Sequence, residues 1–459
     1  MEATTVRLGR GGIGPALVPA AGVALAAGTI AYGFAARAEG TRLGASLAPF
    51  LWDWRPDLGT SALPAAALLA TGAWLAPRLR APAVRPWVFA AATLALGLAL
   101  RLALGSARGG VEGLWAVYEV GNHEAANEYL PALPALDLGA LFFLDTFAEV
   151  GTSLPVHAIG HPPGLLLTLH WLGIDGAPGM AALTIGAGAL AVPLTYALAR
   201  ELLDEDRARG AALLYVFAPS AVLYGATSAD ALYATVALAA AVPLAIAARP
   251  AAARGALPSG ATAGTLPSRA AAGALPSGAA ALAVASFFSY ANLAIGTWAT
   301  LLAAQRAGLR RAVRVALVCG GVLAASYAVL HLATGYDPVG VLRATESVYR
   351  EGIASRRPYE FWLFGSPVAF LCALGLPIAW FALRSAGTRY APAVALVAVV
   401  IVAAMLGFSK AETERIYQFL VPLACVSAAA SLPARWLPLT LGALAVQALA
   451  IELLLYTVW

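Results

Sequence analysis

Charge is what this chain of 459 residues has least of. Only 12% of its residues are Asp, Glu, Lys or Arg, against 61% hydrophobic, and the mean hydropathy is +0.78. A soluble domain is about half apolar and a quarter charged, so this imbalance excludes a set of water-soluble cores. It excludes intrinsic disorder as well. Lysine is nearly missing: Lys410 stands alone beside 28 arginines. A net charge of +5 would suggest nucleic acid only if the arginines clustered on one solvated face. They fall in short gaps between apolar runs instead, so no nucleic-acid partner is expected. The three cysteines, Cys319, Cys372 and Cys425, sit far apart inside apolar runs. That excludes a disulfide framework or a thiolate metal site and leaves them as small buried hydrophobes. No small-residue cleavage site precedes polar sequence, so the first apolar run reads as an anchor that stays.

What is present is a series of apolar runs, near 16–36, 61–77, 87–107, 180–199, 209–226, 230–248, 312–333, 362–383, 390–408, 416–432 and 436–457. A hydrocarbon core of about 30 Å needs roughly 20 apolar residues per helix. The pattern predicts an all-α polytopic membrane protein with about 11–13 transmembrane helices. Positive charge marks the cytoplasmic side of a bilayer. Arg78, Arg80 and Arg85, then Arg249, Arg254 and Arg269, then Arg306, Arg310, Arg311 and Arg314, and later Arg384, Arg389 and Arg435 fall in alternate connectors. The stretch from Gly109 to Gly160 has no Lys or Arg and carries seven acidic residues, so it is assigned outside. A multi-pass plasma-membrane protein with a cytoplasmic N-terminus satisfies these assignments.

The chain divides into N-terminal helices (1–87), a core (88–248) with a first outer loop over 108–163, a connector (249–280) and a final set of helices (281–459) with an outer loop over 334–361. The connector repeats Leu-Pro-Ser from Leu257, Leu266 and Leu275 within Ala and Gly, which predicts a disordered cytoplasmic loop. Segment 281–304 is apolar with arginine on both flanks. It is therefore expected to turn back near Ser289–Asn292 as a broken hairpin, with irregular backbone at that depth needing protein cover; a single crossing with a local exception to the charge rule is the alternative.

The first outer loop is too long for a simple connector. Residues 137–150 have the spacing of an amphipathic helix suited to an interface. Glu124 and Glu128 are four apart and share a face if that stretch is helical, where a carboxylate can deprotonate an acceptor hydroxyl. His157 and His161 are also four apart, but Pro162 and Pro163 follow at once, which speaks against a helical metal pair. His161 is expected to shape the loop or donate a hydrogen bond. Pro162-Pro-Gly164 suits a helix start. Asp230, in the tight turn after Ser228, is either a functional acid near the membrane or part of a helix cap. Arg343, Arg350, Arg356 and Arg357 are the arginines clustered outside, and a second outer turn adds Lys410, Glu412, Glu414 and Arg415. Guanidinium groups bind phosphate bidentately, and a lipid phosphate is the natural ligand there. Internal pairing with nearby glutamates is the alternative.

These pieces come in an order that resembles the membrane glycosyltransferases of the GT-C fold, which include protein O-mannosyltransferases, aminoarabinose transferases and oligosaccharyltransferase catalytic subunits. The resemblance spans roughly 88–432. It rests on Glu128-Tyr129-Leu130 in an acidic first loop, His161-Pro-Pro-Gly164 closing it, Ala199-Arg-Glu-Leu-Leu ending a helix, Asp230 in a short outer turn, Ser289-Tyr-Ala-Asn292 at a break, and Arg415-Ile-Tyr417 opening a late helix. It also looks like an actinobacterial branch with a Glu-Tyr-Leu and His-Pro-Pro-Gly pattern. The resemblance implies a GT-C-like bundle and sugar transfer from a polyprenyl-phosphate carrier to a cell-envelope glycan, lipid or protein. It makes Glu128 the first choice of catalytic base and Glu124 the second, with Asp230 orienting acceptor or sugar. Arg415, Lys410 and some of Arg350, Arg356 and Arg357 would hold the donor phosphate. Tyr129, His161, Tyr290, Asn292 and Tyr417 complete the expected substrate contacts. Asp53 and Asp57 are competing acids in the loop before the core. Metal-independent chemistry is favoured, with a divalent cation (Mg²⁺ or Mn²⁺) as the candidate cofactor. A transporter or lipid flippase is the rival reading, though no internal repeat of the kind it needs is found, and Arg101, the clearest charge within a run, is placed to snorkel.

Overall fold

The computed structural model describes residues 14–250 and 268–459, with side chains in the second part from 273 onward. α1 (Gly14–Ala38) leads through β1 (Asp53–Trp54) to α2 (Leu63–Leu75) and α3 (Pro86–Gly105). A long loop then carries α4 (Ala140–Val150) and the one-turn α5 (Val156–Ile159). α6 (Gly164–Leu172), α7 (Ala177–Ala189), α8 (Ala191–Leu202), α9 (Glu205–Phe217), α10 (Pro219–Thr227) and α11 (Asp230–Ala247) complete the first half. The second half runs through α12 (Ser268–Phe288), α13 (Leu293–Ala307), α14 (Leu309–Thr334), α15 (Pro338–Glu351), α16 (Tyr359–Leu374) and α17 (Leu376–Gly387). It ends with α18 (Ala391–Leu406), α19 (Thr413–Ile416), α20 (Val421–Ser431), α21 (Leu437–Leu454) and β2 (Leu455–Tyr456). The protein is an all-α polytopic membrane protein. Among the described residues seven helical segments are long and apolar enough to cross a bilayer, or nine if each of two bent pairs is one span. Gly273–Phe288 and Ala391–Leu406 are shorter apolar helices.

The two bends show how a broken span survives in lipid. α16 and α17 meet at 115° around Gly375, whose φ is +110° and where a Cβ would lie 2.3 Å from the Leu444 side chain. Gln447 on α21 satisfies the backbone freed there: its Oε1 accepts from Leu376 N (2.9 Å) and its Nε2 donates to Cys372 O (2.7 Å). Protein cover of this kind is what permits irregular backbone at depth. α9 and α10 meet at 52° before Pro219. Beside that bend Arg101 turns inward rather than snorkelling, 2% exposed, with Nε donating to Ala221 O at 3.1 Å.

The turn at 289–292 is present. Asn292 donates Nδ2 to Ala285 O across it (2.9 Å), and Gly296 lies close against Leu282, so α13 folds back along α12. The expected disordered connector is corrected in its last part. α12 begins at Ser268 and carries the third Leu-Pro-Ser within it, Leu275 being buried and Gly278 pressed on Leu244 of α11. Packing against α11 outweighs the helix-breaking composition, as tertiary context does generally. The first two repeats, at Leu257 and Leu266, lie outside the described residues.

The bundle has two chemically different ends. One collects arginine connectors: Arg80 pairs with Asp206, Arg249 with Glu201, Arg209 donates to the carbonyls of Ala81 and Val84, and Tyr390 donates to Leu202 O. The other collects the long loops. There β1 pairs antiparallel with β2, Arg108 donates to the carbonyls of Arg55, Glu452 and Leu455, and Thr345 donates to Ile159 O. This two-ended arrangement agrees with the alternate connectors of the sequence. α4 turns Phe143, Leu144 and Phe147 inward and leaves Leu141 and Phe142 exposed, as is Leu138 just before it.

Candidate functional site

The loop end holds a buried chain of ionisable groups built from four distant segments. Its centre is Arg415, at the start of the late helix. Nη1 donates to Asp230 Oδ2 (2.5 Å) and Nη2 to Glu412 Oε2 (2.9 Å), while the guanidinium lies 3.9 Å over the Trp459 ring. Ser228 Oγ donates to Asp230 Oδ2 (2.7 Å) and fixes that carboxylate. Glu412 bridges onward, its Oε1 accepting from Arg357 Nη2 at 2.9 Å. Arg357 Nη1 donates to Lys410 O (2.6 Å), and Lys410 Nζ donates to the carbonyls of Ala354 and Arg357.

In the other direction Trp459 Nε1 donates to Glu128 Oε1 (3.1 Å). Glu128 lies 4.0 Å from His157 Nε2, which is 2.9 Å from Glu124 Oε1. Glu124 Oε2 accepts from Asn127 Nδ2 (3.3 Å). Glu124 and Glu128 are 8% and 3% exposed. They do not share a regular helix face; a short 3₁₀ turn over Ala125–Asn127 brings both to His157.

Backbone strain sits at both anchor points. Ala411 and Glu412 take consecutive left-handed conformations (φ +66° and +60°), and β-branched Val458 has φ +72°. Non-glycine residues in such conformations cost about 1–3 kcal/mol each and persist where the surroundings overdetermine them. The strained pair sets Glu412 between two arginines, and strained Val458 delivers Trp459 to Glu128. Gly164 contributes differently: a Cβ there would lie 2.4 Å from Phe287 O, so glycine lets α6 and the His161 loop seat against α12.

The electrostatics follow from burial and charge. Burial pushes the Glu128 carboxyl up, against the opposing pull of His157 and Arg415. His157 is moved down by burial but held above its ordinary value overall by Glu128 and its bond to Glu124. Burial lowers His161 to about 4, so this ring stays neutral. Burial works against the Glu412 charge, yet Arg357 and Arg415 hold that carboxyl at about 2.

Several expected residues meet here: Glu124, Glu128, Asp230, Arg357, Lys410 and Arg415 belong to one connected group. Tyr129 donates no charge to it but accepts from Tyr233 Oη (2.8 Å), and His161 packs on both rings. Arg350, Arg357 and Lys410, with Tyr349 and Tyr359, line an open cavity of about 330 Å³. Others lie apart. Arg356 is exposed and does not line that cavity. Asn292 is buried and holds the helix turn, Tyr290 lies near that turn with a buried unpartnered hydroxyl, and Tyr417 packs on Phe370 with its hydroxyl on Ser409. Asp53 is exposed in β1. The sequence named His157 and Glu412 but gave neither a role in the site, and Trp459 did not stand out at all. His157 had a signal in its spacing from Glu124 and Glu128 within one acidic loop; Trp459 had none, because only the β1–β2 pairing carries it there.

Set beside known proteins, the chain matches no family model, no curated protein and no solved structure.

Proposed function

We propose that this protein is an integral membrane glycosyltransferase that moves a sugar from a polyprenyl-phosphate carrier to an acceptor outside the cytoplasm. The observation that carries the reading is the joining of a desolvated carboxylate to a basic cavity at one end of the bundle. Glu128 is buried, its carboxyl shifted upward, and a base with a raised pKa is better matched to neutral-pH proton transfer. Glu128 would take the acceptor proton, with Glu124 and His157 fixing its surroundings. The cavity offers Arg350 and Lys410 to a phosphate, Arg357 on its wall being committed to Glu412, and Lys410 Nζ bonds only to neutral carbonyls, so its charge is not offset. Exposed Met405, Leu406 and Phe408 beside it suit a lipid chain. Cationic groups on the donor phosphate would ease its departure as a leaving group. Arg415 is committed to Asp230 and Glu412 and acts by holding those acids in place rather than by binding phosphate directly. In this reading the loop end faces outward from the plasma membrane.

The test uses purified protein, a panel of radiolabelled polyprenyl-phosphate sugars and a cell-envelope acceptor extract. Transfer is expected from one donor, and Glu128→Gln is expected to lower it by about 10²-fold or more while leaving donor binding intact. Absence of donor binding across the panel overturns the reading and favours transport.

A further inference from the structure

The buried ion pairs of Asp230 and Glu412 are electrically closed, while the acidic end of the chain is not. Arg357 and Arg415 offset Glu412 and Asp230. Glu124 and Glu128 pair with no arginine or lysine among the described residues, and their one ionisable contact is His157. A single imidazolium can offset one carboxylate. The other would remain buried with an indole N–H as its partner, and an unpaired buried carboxylate is costly.

Glu128 makes this shortage plain. A carboxylate has about four acceptor positions, yet Glu128, 3% exposed, accepts one hydrogen bond, from Trp459. Beside it Tyr118 is equally buried, its hydroxyl has no partner, and Glu128 is the charge acting on it most strongly. The donors already converge: one ligand atom each from Glu124, Glu128 and His157 lie within 4.8 Å of one another. Asn127 and Trp459 orient the two carboxylates as outer partners orient metal ligands.

We propose that Glu124, Glu128 and His157 bind one divalent cation of the first transition row, Mn²⁺ serving as its representative, in preference to Mg²⁺. Magnesium favours an all-oxygen octahedron rich in water, whereas an imidazole nitrogen beside carboxylates suits transition ions. The ion would supply the charge the two carboxylates lack. Its Glu128 ligand would be Oε1, the atom facing His157, which leaves Oε2 available to other chemistry. The inference does not rest on sugar transfer and holds for any function of the loop end.

The test is titration of Mn²⁺ into the full chain, stripped with chelator and held in nanodiscs, with free Mn²⁺ read by electron paramagnetic resonance. One equivalent is expected to bind, with an equal concentration of Mg²⁺ failing to displace it. Glu124→Gln and His157→Gln are each expected to weaken binding by about tenfold or more. Spin-echo modulation from an imidazole nitrogen should appear in the wild type and vanish in His157→Gln. Glu112→Gln, an exposed acid of the same loop, should bind as the wild type does. No bound equivalent in the wild type up to millimolar Mn²⁺ overturns the inference, as does equal binding by all variants or displacement by equimolar Mg²⁺. Neither readout depends on activity or on a sugar donor.

Discussion

The two ends of the bundle treat charge in opposite ways. At the arginine end several pairs are local and open to water: Arg207 with Asp204 and Arg200 with Glu205 lie within a few residues of each other, with carboxylates 56% and 41% exposed, while Arg249 with Glu201 joins two helices and is partly buried. At the loop end Asp230, Arg357, Glu412 and Arg415 come from segments up to 185 residues apart, and every side chain is at most 10% exposed. Exposed pairs contribute little to stability. Buried ones carry a desolvation cost that can exceed their attraction, so their presence calls for another reason. Fixing acids and bases in one geometry is such a reason, and it makes the loop end the candidate site.

Breaking that network should give the largest effect on stability. Arg415→Met leaves Asp230 and Glu412 buried with one guanidinium between them, and the expected loss is about 3–5 kcal/mol, read from chemical denaturation in detergent. Next comes a pH effect of definite sign. Glu414 is buried, its Oε1 accepts from Leu51 N (2.8 Å), and burial pushes its carboxyl up to about 7. From about 4.5 to about 7 the folded chain keeps a proton that the unfolded chain has released, so stability falls as pH rises through that window and levels off above it. Glu414→Gln keeps an acceptor for Leu51 without the charge. It should stabilise the protein by roughly 1–3 kcal/mol at pH 8, and the gain should shrink towards nothing as pH falls to 4.5. A constant gain across the range would mean that Glu414 does not carry this penalty.

The contrast between the ends also shows what the sequence could reveal. The separation of the connectors into two ends was legible, because arginine density alternates along the chain and needs no tertiary information. The break at 289–292 followed from the same charges on both flanks of one apolar segment. Glu128, Asp230, Lys410 and Arg415 stood out as polar residues interrupting apolar sequence. Their partners did not. Glu412 reaches its place through two left-handed residues, and Trp459 through a strand pair joining Asp53–Trp54 to Leu455–Tyr456; neither leaves a local pattern. Helix α12 was hidden for the opposite reason, since Pro276 and its neighbouring glycines describe a loop until α11 packs against them.

A smaller effect tests the basic cavity. Lys410 is the lone lysine, and its ammonium is bound by carbonyls rather than acids. Lys410→Met should weaken binding of a phosphate-headed polyprenyl lipid by about 1.5–3 kcal/mol, measured by displacement of a labelled analogue in nanodiscs, with the denaturation midpoint little changed. Equal binding by both proteins would detach the cavity from phosphate.

The smallest expected effect closes the comparison from the other side. Arg80 pairs with Asp206, whose carboxylate is 55% exposed, and it also reaches towards Ala434 O. Arg80→Met removes a pair that water can replace, so the expected cost is below about 1 kcal/mol, and added salt should narrow even that difference because the pair is open to solvent. Measured beside Arg415→Met under identical conditions, it makes the contrast quantitative. A loss at Arg80 matching that at Arg415 would show that both ends are held by charge alike, and would remove the energetic distinction of the loop end.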